Sequence, residues 1–135
     1  MPKKTKKYTY SVGRRRSASA RVRLYRGRER SVVNGMPIEK YFPGLAAKTI
    51  WSRPFKLTET EKKYFITAKV KGGGKNGQLE ALVHAIARAF SKANPDKFKT
   101  PLKKAGLLTR DPRVRERRKV GMGGKARRKR QSPKR

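Results

Sequence analysis

The sequence predicts an α+β fold. Stretches of strict apolar/polar alternation crowd the first seventy residues, one strong helical stripe follows them, and strands do not alternate with helices regularly enough for a parallel, doubly wound sheet. Tyr8, Tyr10 and Val12 alternate with Thr9 and Ser11, which reads as a first strand. Ala18, Ala20, Val22 and Leu24 alternate with Ser19, Arg21 and Arg23, a second strand with one apolar and one cationic face. Gly27 marks a turn, and Ser31–Val33 is a short strand ended by Asn34-Gly35, the dipeptide that best tolerates the positive φ of a tight hairpin. Pro37–Phe42 is expected to be one helical turn opened by proline, broken by Pro43-Gly44. Leu45–Trp51 reads as helix, with Pro54 ending it.

Tyr64, Ile66, Ala68 and Val70 face one way and Phe65, Thr67 and Lys69 the other, the pattern of a central strand. Gly72-Gly73-Gly74 follows, then the clearest helix, Gln78–Lys92. Its Leu79, Leu82, Val83, Ile86 and Phe90 form one stripe, and its alanines allow close packing. Asn94-Pro95 stops it. Asp96–Ala105 reads as a second short helix closed by Gly106, Leu107–Arg110 as extended chain, Asp111-Pro112 as a turn, and Val114–Val120 as a last short strand.

The chain has 135 residues, enough for one domain and one small core. Its 40 Lys and Arg against 8 Asp and Glu leave a formal charge of +32. Self-repulsion at that charge opposes compaction and argues for a polyanionic partner over a free-standing monomer. With no cysteine there is no disulfide frame, thiol nucleophile or thiolate metal site. One histidine, His84, cannot supply an imidazole cluster, and a structural role is expected of it. No paired carboxylates or other catalytic constellation, cofactor site or metal site stands out. No apolar run is long enough for a membrane helix, no secretory signal is visible, and the basic segments lack the apolar face that lipid binding needs. Nucleic acid is the expected partner, without a small-molecule substrate or a membrane.

Residues 1–30 and 110–135 together hold two-thirds of the net charge, and the chain is read as a basic arm (1–7), an RNA-binding body (8–112) and an extended basic tail (113–135). From Gly121 to Arg135 the tail is nearly all Gly, Ala, Lys and Arg. Such a segment has too little apolar surface to offset the entropy of ordering, so it is expected to be disordered alone and to extend over about 50 Å along phosphates.

Gly72-x-Gly74-x-x-Gly77 formally matches a dinucleotide fingerprint, but no strand ending in an acid follows at the usual distance. A phosphate-binding loop fails because Gln78-Leu79 stands where Lys and Ser/Thr belong. The chemistry outlives the label. Gly72, Gly73 and Gly74 before a helix start allow a phosphate to approach backbone amides, with Lys75 nearby. A turn that simply lets the helix pack on the sheet explains the glycines equally well. Arg14, Arg15, Arg16, Arg21 and Arg23, with Arg26, Arg28 and Arg30 behind them, offer guanidinium forks suited to phosphate oxygens. Their plainer reading is a solvated face. Tyr8, Tyr10, Trp51 and Phe65 are able to stack on bases, although core packing is the better expectation for each. Charge alone also suits a DNA-compacting or general nucleic-acid chaperone.

Taken in order, several blocks resemble ribosomal protein nine of the small subunit, bacterial type. They are Gly13-Arg14-Arg15-Arg16-Ser17, Asn34-Gly35, Tyr41-Phe42, Gly72–Gln78 with the following Ala-rich run, Lys104-Ala105-Gly106, Thr109-Arg110-Asp111, Glu116–Gly121 and Lys125-Ala126-Arg127. The resemblance implies a body of the ribosomal S5 domain-two type, with a left-handed crossover, bound to the head of the small subunit through the 3′ major domain of its rRNA and beside other head proteins. It implies a cytoplasmic ribosome, with an organellar one left open. It adds Arg110, Arg113, Arg117, Arg118, Lys119, Lys125, Arg127, Arg128, Lys129 and Arg130 to the expected rRNA contacts. It also implies that Lys134 and Arg135 touch the anticodon stem-loop of P-site tRNA. Bacterial members usually end Pro-Gln-aromatic-Ser-Lys-Arg, whereas this chain ends Arg130-Gln131-Ser132-Pro133-Lys134-Arg135. The spacing from the glutamine is kept and the aromatic is gone, so contact there is expected through charge.

Overall fold

The structure is a computed structural model that describes residues 7–110. The expected turn at Asp111-Pro112, the strand at Val114–Val120, the tail and most of the arm lie outside the described residues. The described elements run β1 (Tyr8–Arg15), β2 (Ala18–Arg26), β3 (Val32–Val33), β4 (Met36–Pro37), α1 (Ile38–Tyr41), α2 (Leu45–Leu57), β5 (Tyr64–Lys71), α3 (Lys75–Ala93) and α4 (Pro95–Lys104). They form one five-stranded sheet in the order β1-β2-β5-β3-β4, with β5 in the middle as its alternation predicts. Among the described residues only β3 and β5 pair in parallel, joined through α1 and α2.

α3 lies across β1 and β2. The covered face holds Ala18, Ala20, Val22 and Leu24 of β2 and Ile66, Ala68 and Val70 of β5, all buried. α2 and α4 flank α3. Phe90 of α3 is the hub. Its ring meets Phe55 of α2 at 5.3 Å, Tyr64 of β5 at 5.4 Å and Phe98 of α4 at 5.3 Å, each edge to face. Those contacts join three helices and the central strand at one fully buried side chain.

β1 departs from the expectation of Tyr8 and Tyr10 in the core. Its covered residues are Ser11, Gly13 and Arg15, while Tyr8 and Tyr10 are 49% and 44% exposed on the other side. The reason is the closeness of α3. A Cβ on Gly13 would stand 2.1 Å from the Ala81 carbonyl oxygen and 2.5 Å from the Ala85 nitrogen, so nothing larger than glycine fits there. An aromatic row on that side would hold the helix off. Trp51 is buried in the core, as expected, whereas Phe65 is buried on the other side of the sheet, stacked on Tyr25 of β2.

β1 is also an edge strand, and α3 covers its outward carbonyls. Arg88 Nη1 donates to the Val12 oxygen and Lys92 Nζ to the Tyr10 oxygen (3.2 Å). At the Asn34-Gly35 hairpin both residues have positive φ, +51° and +79°. The Asn34 side chain then imitates a strand residue: Nδ2 donates to the Val70 oxygen (3.0 Å) and Oδ1 accepts from the Val70 nitrogen (2.8 Å).

Three expected boundaries move. α2 runs through Pro54 to Leu57. Thr58 N–H and Oγ1 both reach the Pro54 oxygen (3.2 and 2.8 Å), and buried Phe55 anchors the extra turn on Phe90. Core burial of a phenylalanine, about 1.5–3 kcal/mol, matches the roughly 3 kcal/mol a mid-helix proline costs. α3 starts at Lys75, three residues early, because its polar first turn carries no apolar stripe to read. Leu107 and Leu108 continue the turn after α4 where extended chain was expected over Leu107–Arg110. Gly106 at φ +76° lets Gly106 N–H reach the Lys103 oxygen (3.0 Å) and Leu107 N–H the Leu102 oxygen (3.1 Å), and this folds Leu107 and Leu108 back onto the core.

Candidate nucleic-acid interface

The last paired residues of β1 and β2 are Arg15 and Ala18, which leaves Arg16-Ser17 as a two-residue turn. Arg16 sits at φ +55°, a conformation that costs an L-residue about 1–2 kcal/mol. This turn rests on the loop after β5. A Cβ on Gly72, already at φ +79°, would meet the Ser17 carbonyl oxygen at 2.5 Å, and one on Gly73 would meet the Ala18 Cβ at 3.1 Å. Packing thus accounts for Gly72 and Gly73. Gly74 has open space around its Cβ direction and caps α3 without any side-chain hydrogen bond. The first turn of α3 contains no acid, so its amides keep their partial positive charge.

The fold therefore brings Arg14, Arg16, Gly72–Gly74 and Lys75 to one corner. Lys75 is pre-set there: its Nζ donates to the Tyr41 carbonyl (3.1 Å) and lies 3.5 Å from the centre of the Tyr41 ring. Tyr41 Oη donates to Gln78 Oε1 (2.8 Å), and Gln78 Nε2 donates to the Gly72 carbonyl (3.1 Å). One chain of contacts thus ties the cation, the loop and the start of α3.

Arg15 does not join that corner. Its side chain points to the covered face, 7% exposed, and its Nε donates to Glu80 of α3. It braces the strand that carries its neighbours. No local signal marks that pair, because the partners are 65 positions apart.

Arg21 and Arg23 stand on the helix-free face, as the alternation of β2 predicts. The register sets Arg21 between Val12 and Lys69, Arg23 between Tyr10 and Thr67, and Ser19 between Arg14 and Lys71. Lys69 and Lys71 are exposed members of this surface beyond the residues singled out from sequence. Lys69 was visible as the polar partner in the β5 alternation; only its neighbours required the register. Arg110 is exposed, but it bears on His84, about 13 Å along α3 from Lys75, so it belongs to a different part of the surface. Arg113, Arg117, Arg118, Lys119, Lys125, Arg127, Arg128, Lys129, Arg130, Lys134 and Arg135 lie outside the described residues.

His84 is structural, as its isolation suggested. Its Nδ1–H donates to the Leu107 carbonyl at 3.2 Å, pinning the turn after α4 to α3. Burial pushes its pKa below 6.5; the Leu107 bond opposes that, and the Arg88 and Arg110 charges add to it. Among the described residues no group of acids and histidines could hold a metal ion, and no helix is long and apolar enough to cross a membrane.

The profile of the family described as Ribosomal protein S9/S16 matches residues 13–135. The chain belongs to that family. It is 46% identical over 115 residues to the small ribosomal subunit protein uS9 of Desulfotalea psychrophila, covering 85% of this chain and 88% of that one. It is likewise 46% identical over 120 residues to the protein of the same name from Maridesulfovibrio salexigens, covering 89% and 92%. The resemblance drawn from the motifs is thus upheld over most of the chain.

Proposed function

We propose that the chain is a structural constituent of the small ribosomal subunit, where it partners rRNA and neighbouring proteins of the head in a cytoplasmic ribosome. Membership of its family supports the ribosomal role, and the corner of Arg14, Arg16, Gly72–Gly74 and Lys75 is the observation that carries RNA binding. Phosphates meet guanidinium forks from the hairpin turn, a lysine held by Tyr41, and free amides at the start of α3. Arg21 and Arg23 extend the contact across the sheet. Arg15 acts through the strand, not on RNA. Neutralising phosphates releases counterions, so affinity falls with salt.

In this reading the body is of the S5 domain-two type and docks on the 3′ major domain. Arg110 and the tail cations through Arg130 follow rRNA, and Lys134 and Arg135 reach the anticodon stem-loop of P-site tRNA. Such a tail holds by charge and reach and does not read sequence. Deleting Gln131–Arg135 leaves subunit assembly intact and weakens P-site tRNA binding by about tenfold, the equivalent of one or two charge-assisted contacts. Filter binding of tRNA to reconstituted subunits measures this; equal affinity of truncated and full-length subunits overturns the tail's role.

A further inference from the structure

The helix-free face of the sheet holds more than cations. Across one row the register aligns Tyr8, Tyr25 and Phe65. Tyr25 stacks on Phe65 with centroids 5.2 Å apart and planes 10° apart, and Tyr8 tilts against Tyr25 at 5.6 Å. Phe65 is buried in this row, and Arg23 lies 5.0 Å over the Tyr8 ring. These rings stabilise one another. Tyr10, two residues further along β1 and so about 7 Å away, is different. Among the described residues its ring makes no ring–ring or cation contact, and it stands 44% exposed opposite Arg23.

Cations surround it on the same face: Arg21 and Lys69 in the next row, and Arg14 and Lys71 in the row beyond. None of the five strands contains an acid. An RNA duplex would need only the charges, because its bases are stacked internally and its deep major groove is closed to side chains. A free aromatic ring set among phosphate-binding cations fits a strand whose bases are unpaired, since every base has a π-face to lay on it.

We propose that the helix-free sheet face takes an unpaired stretch of RNA, with Tyr10 as the platform for a base and Arg14, Arg21, Lys69 and Lys71 as its phosphate partners. The proposal rests on the reading that the chain binds RNA, and it names which kind of RNA meets this face.

The test compares full-length wild type, Tyr10→Leu and Tyr10→Phe, binding single-stranded oligouridylate and an RNA duplex of the same length at one salt concentration. All three proteins share the same tail, so its contribution cancels. Tyr10→Leu should lose about tenfold or more in affinity for the single strand and nothing for the duplex, and Tyr10→Phe should restore wild-type binding. A full-length Tyr10→Trp variant supplies a second readout. Its new indole should be quenched by the single strand and not by the duplex, against a constant signal from buried Trp51. No loss in Tyr10→Leu, an equal loss for both RNAs, or no quenching overturns the stacking role while leaving RNA binding by the body intact. Failure of wild type to bind either RNA overturns the underlying reading as well.

Discussion

The two faces of this sheet are made from alternate residues of the same strands, yet they solve opposite problems. The covered face is built for closeness. It uses Gly13, Ala18, Ala20 and Ala68, so that α3 approaches until its backbone nearly touches β1. The open face is built for reach, with Arg14, Arg21, Arg23, Lys69 and Lys71 standing off the backbone among aromatic rings. Small side chains define the first face by the space they leave, and long charged ones define the second by the charge they hold outward. A protein of +32 can be compact only if its cations are kept off the packing surface. Among the described residues the buried exception, Arg15, is paired with Glu80.

Substitution at the point of closest packing breaks the comparison most sharply. Gly13→Ala places a methyl group against the backbone of α3 and should cost about 3 kcal/mol or more, read as a fall in the urea midpoint. That is a large share of the roughly 5–15 kcal/mol of a small domain. A shift below about 1 kcal/mol would mean that α3 does not sit where the covered face puts it. By contrast, Arg16→Gly should separate stability from binding. Relief of the positive φ should stabilise the isolated chain by up to about 1 kcal/mol. Loss of the cation should lower the salt dependence of RNA binding by roughly one phosphate. Movement of both quantities in the same direction would contradict an Arg16 held in strain for contact.

The smallest effect belongs to His84, which holds the turn after α4 to α3. Its folded pKa lies below 6.5, so the unfolded chain takes up the proton first as pH falls. The stabilisation is complete above pH 6.5 and is lost as pH drops from there through the lowered folded value. Urea midpoints measured from pH 7.5 to 5 should show this decline in wild type and a flatter profile in His84→Gln. Identical profiles would remove His84 as the cause.

Much of this was legible along the chain. The alternation of β2 and β5, the Asn34-Gly35 hairpin and the stripe on α3 are local patterns, and local patterns survive in a linear reading. So did the charge balance and the block order that point to the family. Three things were not legible. The side of β1 that faces inward depends on how near α3 lies, and no residue in β1 announces that Gly13 outweighs two tyrosines. The passage of α2 through Pro54 depends on Phe90 waiting for Phe55. The removal of Arg15 from the cationic set depends on Glu80, far off in sequence.

The amino-acid sequence by itself determined that this chain is a small α+β body with an excess of cations, because period, composition and turn chemistry are written residue by residue. Tertiary structure alone decided which of those residues meet: that the arginine turn rests on the glycine loop, that Lys75 is held by Tyr41, and that Tyr10 is left facing outward. Those choices arise from distance in space between segments far apart in the chain, where packing and charge pairing act and sequence spacing has no voice.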